Sequence, residues 1–298
     1  MMKSRQASDN RDTADDVCTV LLPDGRKLAY AEYGKPNGLP LFFFHGLPSC
    51  RLMHPDIDVC NSLGIRLITV DRPGLGRSDP KPGRSLLDWA DDVRGLADQL
   101  GINEFAVVGP SGGGPFVAAC AFRLSARIRR AAIVGGAGPL DEPRALAGAA
   151  FDRRVGFWLA RHAPILFRAA IRWRGNPQQD TEKFFASYTR HNPPSDQVLL
   201  QNPETKAMFI ATYREATRQG LAAFAHEIEL MAKPWGFSLR DISVPMTIWH
   251  GTADNSTPIG MGEALARAIP NATLRVIPNE GHLIFLSHWQ AIAEDLIH

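Results

Sequence analysis

The 298-residue chain is poor in several features that would each have pointed to a class of protein. It holds only four cysteines, Cys18, Cys50, Cys60 and Cys120. None forms a C-x-x-C pair, and none is grouped with histidine at zinc spacing. The pattern fits free thiols in a reducing compartment. Charge of one sign is also scarce. The net charge of +2 is too small to argue for a nucleic-acid partner. No uninterrupted apolar run reaches the length of a membrane span, so no stable membrane insertion is expected. Met1 to Asp16 is polar and charged with no apolar stretch of the secretory type, so residues 1–16 are expected to be a flexible N-terminal tail and the chain cytoplasmic. Gly74-x-Gly76 lacks the third glycine and the later acid of a dinucleotide site, and no Lys-Ser or Lys-Thr follows Gly112-Gly113-Gly114 as a phosphate loop requires. No internal repeat or low-complexity segment is visible.

What is present is an ordinary globular composition, 45% apolar and 21% charged, on a chain long enough for one large α/β domain or two small ones. Short apolar runs alternate with helical patterns, which predicts a mostly parallel sheet covered by helices. Cys18 to Leu22 and Lys27 to Tyr33, joined by Pro23-Asp24-Gly25, read as an antiparallel hairpin at the sheet edge. Leu41–Phe44, Arg66–Val70, Phe105–Val108, Ala131–Val134, Met246–Trp249 and Thr273–Ile277 read as buried parallel strands, each closed by turn residues. Ser85 to Leu100 places Leu86, Trp89, Val93, Leu96 and Leu100 on one stripe, with Gly101 as a C-terminal cap. Gly113 to Leu124 reads as a buried helix, and about Leu283 to Ile297 as the last one.

From Ala137 to about Pro234 the strand-like runs stop. This stretch is rich in Arg, Trp, Phe and Ala and reads as helices interrupted by Pro164, Pro177, Pro193-Pro194 and Pro203. The expected organisation is therefore a core of residues 17–136 and 235–298, with residues 137–234 as an inserted helical cap. Within the insertion Arg154, Arg161, Arg168 and Arg172 recur near one helical face, and Phe151, Val155, Trp158 and Leu159 occupy another. The expectation is an amphipathic cap helix with its apolar side toward a pocket and its arginines in water. Trp235 and Phe237 would anchor the return of the chain to the core.

The most informative stretch is Gly109-Pro110-Ser111-Gly112-Gly113, which follows the apolar run Phe105–Val108 directly. A serine flanked by glycines between strand and helix sits on a strained turn that exposes its hydroxyl above the sheet. A serine hydroxyl needs an adjacent base, usually a histidine oriented by a carboxylate. In the chain order serine, acid, histidine, the candidates are Asp254 in His250-Gly251-Thr252-Ala253-Asp254 and His282 after Gly281. Both follow late strands, at whose carboxyl ends open α/β sheets build their sites.

These pieces, with His45-Gly46-Leu47-Pro48, Asp71-Arg72-Pro73-Gly74-Leu75-Gly76-Arg77-Ser78 and Pro258, resemble the α/β-hydrolase superfamily and occur in its order along nearly the whole chain. The resemblance implies Ser111 as nucleophile, His282 as base and Asp254 as its orienting acid. It implies an oxyanion hole from the backbone N–H groups of Gly112 and Leu47. Asp141, after Gly138-Pro139-Leu140, is the alternative acid, because some members place it after the strand before the cap. His45 and His250 read as buried loop anchors, and Asp71 and Asp79 as structural. Relatives with an aspartate nucleophile, the haloalkane dehalogenases and epoxide hydrolases, are set aside by Ser111. The tryptophan common after the serine of prolyl aminopeptidases is Gly112 here. The implied activity is hydrolysis of a small to medium carboxylic ester, with a small, apolar, ester-like substrate as partner and no metal or organic cofactor. C–C bond, lactone or amide hydrolysis on the same residues, or a ligand receptor on this scaffold, are the alternatives.

Overall fold

Buried, β-branched-rich runs with no polar alternation belong between two layers of helix, and that is where the chain puts them. A computed structural model describes residues 17–141, 145–149, 151–173, 181–190 and 192–298, without the side chains of residues 184, 187 and 188. Among the described residues one eight-stranded sheet runs in the order β1-β2-β4-β3-β5-β6-β7-β8. Its strands are β1 (Cys18–Leu21), β2 (Lys27–Gly34), β3 (Leu39–Phe43), β4 (Ile65–Val70), β5 (Phe105–Pro110), β6 (Ile128–Val134), β7 (Met246–Gly251) and β8 (Ala272–Ile277). β1 and β2 pair antiparallel, as the Pro23-Asp24-Gly25 turn predicts, and β2 joins β4 antiparallel. From β4 to β8 every pairing is parallel. The chain crosses over between β4 and β5, which leaves β3 and β5 as neighbours at the middle of the sheet.

The helices of the core are α1 (Ile57–Ser62), α2 (Leu86–Gln99) and α3 (Gly114–Arg123). The chain between β6 and β7 forms α4 (Phe151–His162), α5 (Pro164–Trp173), α6 (Thr181–Thr189), α7 (Pro194–Gln201), α8 (Pro203–Ala216) and α9 (Ala222–Ala232). After β7 come α10 (Ile259–Ala268), α11 (Ile284–Ser287) and α12 (Trp289–Ile297). Two apolar clusters sandwich the sheet. α2, α3 and α10 cover one face through Trp89, Val93, Leu96, Phe116 and Leu265. α1, α11 and α12 cover the other through Cys60, Phe285, Trp289 and Ile292. The chain has the α/β-hydrolase architecture anticipated from its sequence.

Local chemistry explains most boundaries. Ser85 caps α2 in a capping box with Asp88, each side chain taking the other residue's backbone N–H. Prolines in the insertion start helices rather than interrupt them: Pro164, Pro194 and Pro203 each stand at the first helical position, where a missing N–H costs nothing. Pro177 and the tail 1–16 lie outside the described residues. The structure departs from expectation at several elements. α1 was not anticipated. The last helix is two, broken at His288. β8 is half exposed rather than buried, since it is an edge strand.

The apolar side of α4 also departs from expectation. Phe151 is 80% exposed and Trp158 60%, so this part of the stripe faces outward and not toward a pocket in the core, while Leu159 packs on a small apolar cluster with α5 and α9. Two of the arginines make ion pairs instead of pointing freely into water, Arg161 with Asp141 and Arg168 with Glu229 on α9.

Candidate active site

β5 is buried along its full length and delivers the chain into a tight turn, Ser111–Gly113, that leads into α3. Ser111 has φ of 53°, a left-handed conformation that costs a non-glycine residue about 1–3 kcal/mol. The turn closes only because Gly113 has no side chain. A Cβ there would lie 2.0 Å from the carbonyl oxygen of Phe44, the residue after β3. The loop after β3 packs on the same turn: a Cβ on Gly46 would lie 3.1 Å from that of Ser111, and one on Gly112 would lie 3.2 Å from Leu47 Cγ. Leu47 and Gly112 thus flank Ser111.

The histidine and the acid come from the carboxyl ends of β8 and β7. His282 Nδ1 donates to Asp254 Oδ2 at 2.8 Å, and both residues are buried. Asp254 is fixed by its own loop, since its Oδ1 accepts the backbone N–H groups of Ser256 at 2.8 Å and Thr257 at 2.9 Å. Burial by itself would neutralise the histidine. The Asp254 carboxylate outweighs it and holds the His282 pKa above the ordinary 6.5. Asp254 in turn is held below the usual carboxylate range: burial acts against this, and the charge and N–H of His282 prevail. Ser111 and His282 line the same pocket. No hydrogen bond joins hydroxyl and imidazole, a contact that often tightens only with substrate bound.

Three further residues of this site were not legible in the sequence. Thr257 Oγ1 stands 2.7 Å from the Gly135 carbonyl oxygen, 2.9 Å from Asp254 Oδ2 and 3.1 Å from His282 Nδ1. Its single proton serves one acceptor, while its oxygen fills the space beside the dyad. Asp196, on α7, accepts the backbone N–H of His282. Arg72 is fully buried and donates to the carbonyls of His45 and Gly46, the latter at 3.1 Å. His45 Nδ1 meets the same Gly46 oxygen at 2.9 Å. Burial, then the Arg72 charge, keeps His45 neutral, so that nitrogen carries a proton only as the donor to Gly46. Two donors on one carbonyl fix the peptide plane whose far side carries the Leu47 N–H, and polarise that N–H.

Arg72 is anchored from the insertion. Glu227 on α9 takes Arg72 Nε and Nη2 at 2.8 Å each and Arg84 Nη2 at 2.6 Å. Burial would raise the Glu227 carboxyl, but the two guanidiniums hold it down at about 2. Arg72 also lies over the Phe116 ring at 4.5 Å.

The pocket above Ser111 is narrow and mostly apolar, walled by Leu47, Pro48, Met53, Phe185, Phe209, Ile210, Tyr213, Leu283 and Phe285. Ser49 Oγ and Thr181 Oγ1 add two buried hydroxyls that have no hydrogen-bond partner among the described residues. The other candidates take different places, with His250 beside the dyad, its Nε2 3.7 Å from Asp254 Oδ2. Asp141 is half exposed and paired with Arg161. His250 is buried with Nε2 donating to the Thr257 carbonyl at 2.6 Å, and burial lowers its pKa. Asp71 accepts from Arg51 and from the Arg77 N–H, and Asp79 from the Lys27 N–H. Among the described residues no group of three or more His, Cys, Asp or Glu is placed to hold a metal ion, and no helix is long and apolar enough to cross a membrane.

Comparison with known proteins bears on the fold and the family. The family model for the alpha/beta hydrolase fold matches residues 40–288. A non-heme chloroperoxidase of Streptomyces lividans is 28% identical over 94% of this chain and 98% of its own length. Among solved structures, a hydrolase from Pseudomonas aeruginosa PA01 superposes with a TM-score of 0.71 at 22% identity, covering 96% of this chain and 98% of its own. A thermophilic esterase from Thermogutta terrifontis superposes with a TM-score of 0.65 at 25% identity, covering 95% and 97%. The chain belongs to the α/β-hydrolase family.

Proposed function

We propose that this α/β-hydrolase cleaves a small to medium carboxylic ester through an acyl-enzyme on Ser111, with residues 137–234 as the cap over the pocket. The observation that carries the reading is the buried Asp254–His282 pair, whose imidazole lines one pocket with a serine held at positive φ. His282 takes the Ser111 proton as the oxygen attacks the ester carbonyl, with Asp254 supporting the imidazolium that forms. The N–H groups of Leu47 and Gly112 receive the oxyanion, a donor pair in which each member is worth about 2.7–4 kcal/mol in comparable sites. His282 then hands the proton to the leaving alcohol and activates the water that releases the acid. The apolar walls suit an acyl or alcohol group without charge, and the unpartnered hydroxyls of Ser49 and Thr181 offer hydrogen bonds to a second polar atom of the substrate. The esterase among the structural neighbours supports the bond type.

The chloroperoxidase relative favours a second reading on the same intermediate. Hydrogen peroxide attacking the acyl-enzyme in place of water would release a peracid and regenerate the serine hydroxyl, and the peracid would oxidise halide to hypohalite as it returns to carboxylic acid. A panel of p-nitrophenyl esters, lactones and vinylogous diketones, each run with water alone and with peroxide, tests both. Fastest turnover of an ester in water is the expected result. A diketone or lactone cut far faster than any ester overturns the ester assignment, and peracid formation outpacing hydrolysis moves the assignment to the second reading.

A further inference from the structure

Asp196 is a buried carboxylate with an unusual occupation. It stands at the third position of α7, where an acid ordinarily reaches back to the backbone N–H of the capping residue. The capping residue here is Pro193, which has no N–H, and it makes no side-chain cap of its own. The two carboxylate oxygens go across to another element instead. Oδ2 accepts the N–H of His282 at 2.9 Å and Oδ1 the N–H of Leu283 at 3.0 Å. Gly281 is what lets α7 come so near. A Cβ there would lie 2.4 Å from Asp196 Oδ1 and 2.4 Å from Pro193 Cγ. A fitted joint between insertion and core therefore lies at the histidine loop itself, separate from the one Glu227 makes with Arg72.

The structure assigns Asp196 as a positioning residue for the His282 base, by which the helical insertion holds the histidine loop through its backbone and adds a second carboxylate in support of the imidazolium. This rests on the proposed roles of Ser111 and His282. The titratable groups and charges facing His282 include Asp254 and the buried His250 from β7 and the loop after it, Asp196 from α7, and Arg153 from α4. Burial disfavours the charged imidazole, Asp254 outweighs it, and Asp196 acts in the same direction as Asp254 while Arg153 opposes them. Asparagine at position 196 would keep the size of the side chain and one of its two acceptors while removing one of the two supporting charges. Its signature is directional: the base should lose its proton at lower pH, extending reactivity into acid while the maximal rate falls.

The test is the pH dependence of Ser111 inactivation by a fluorophosphonate, measured on the full chain for wild type, Asp196→Asn and Asp196→Glu, with a thermal melt of each. Asp196→Asn is expected to move the acid limb to lower pH by about half a unit or more. It should lower the plateau rate by roughly tenfold, because its amide nitrogen faces one of the two N–H groups and displaces the loop. Asp196→Glu keeps the charge, so its limb stays with wild type while its plateau falls. An Asp196→Asn limb that coincides with wild type overturns the inference and leaves Asp196 a fastener of the insertion. If Asp196→Asn does not fold, Asp196→Ser carries the same comparison, with the same shift expected and the same coincidence fatal. A wild-type protein that takes no label at Ser111 defeats the functional reading and this inference with it. Labelling at Ser111 with an unmoved limb defeats the inference alone.

Discussion

Glu227→Gln isolates the buried charge cluster beneath the Gly46–Leu47 peptide. Arg72 and Glu227 are fully buried, and Arg84 nearly so. The substitution keeps the shape of the side chain but leaves two guanidiniums without a counter-charge and turns an amide N–H₂ toward one of them. Removing one partner of a buried ion pair costs about 3–5 kcal/mol. The electrostatics give a similar figure by another route, because a carboxyl lowered from 4.5 to about 2 by folding contributes on the order of 3 kcal/mol at neutral pH. In a chain of this size the expected loss is roughly 5–8 °C in Tm. The pH dependence has a definite sign. The contribution of Glu227 is fully present above its ordinary value of 4.5 and fades as pH falls toward 2. The gap in Tm between wild type and Glu227→Gln should therefore be widest near neutrality and narrow in acid. Activity should fall as well, because Arg72 braces the Gly46 carbonyl, and the drop should appear in kcat more than in KM if the Leu47 N–H binds the developing oxyanion. Thermal melts across pH and steady-state kinetics on one p-nitrophenyl ester measure both. A Tm within about 1 °C of wild type at pH 7, or a gap that does not change in acid, refutes the reasoning.

Three other outcomes are expected. Asp254→Asn should lower kcat by roughly 10³–10⁴, as loss of the orienting acid does in comparable triads, while Asp141→Asn leaves kcat unchanged; the reverse pattern would move the acid to position 141. The acid limb of kcat/KM should fall above pH 6.5, since Asp254 outweighs burial at His282, and a limb below that value would mean that burial prevails over the carboxylate. Thr257→Val leaves the Gly135 carbonyl without its hydroxyl partner and should cost about 1–3 kcal/mol in a denaturant melt, with a lower kcat because the Asp254 oxygen loses the same neighbour; an unchanged melt would show that the hydroxyl is not held there.

The parts of the molecule that were legible in the sequence are those whose physics is local. Phe105–Val108 running into Gly-Pro-Ser-Gly-Gly announces a strand, a forced turn and a helix within a dozen residues, and the structure has all three in place. The hairpin at β1 and β2 and the capped helix after Ser85 are legible for the same reason. What escaped depends on distant partners. Glu227 and Arg72 are 155 positions apart, and nothing near either one marks it as half of a buried pair. Asp196 reads as an ordinary first-turn acid until Pro193 and Gly281 are seen together. The short α1 has an Asp56 cap but too few residues to show a period. On α4 the helical period was legible and its orientation was not, since an apolar stripe does not say whether it faces the core or, as with Phe151 and Trp158, away from it.

The central claim is that Ser111 is made nucleophilic by His282. Intact mass and peptide mapping after fluorophosphonate treatment test it without any knowledge of the substrate. One adduct per chain, on Ser111, lost in Ser111→Ala and nearly abolished in His282→Ala with each variant still melting as a folded protein, is the predicted result. An adduct on another residue, or labelling of Ser111 at the same rate without the imidazole, would contradict it.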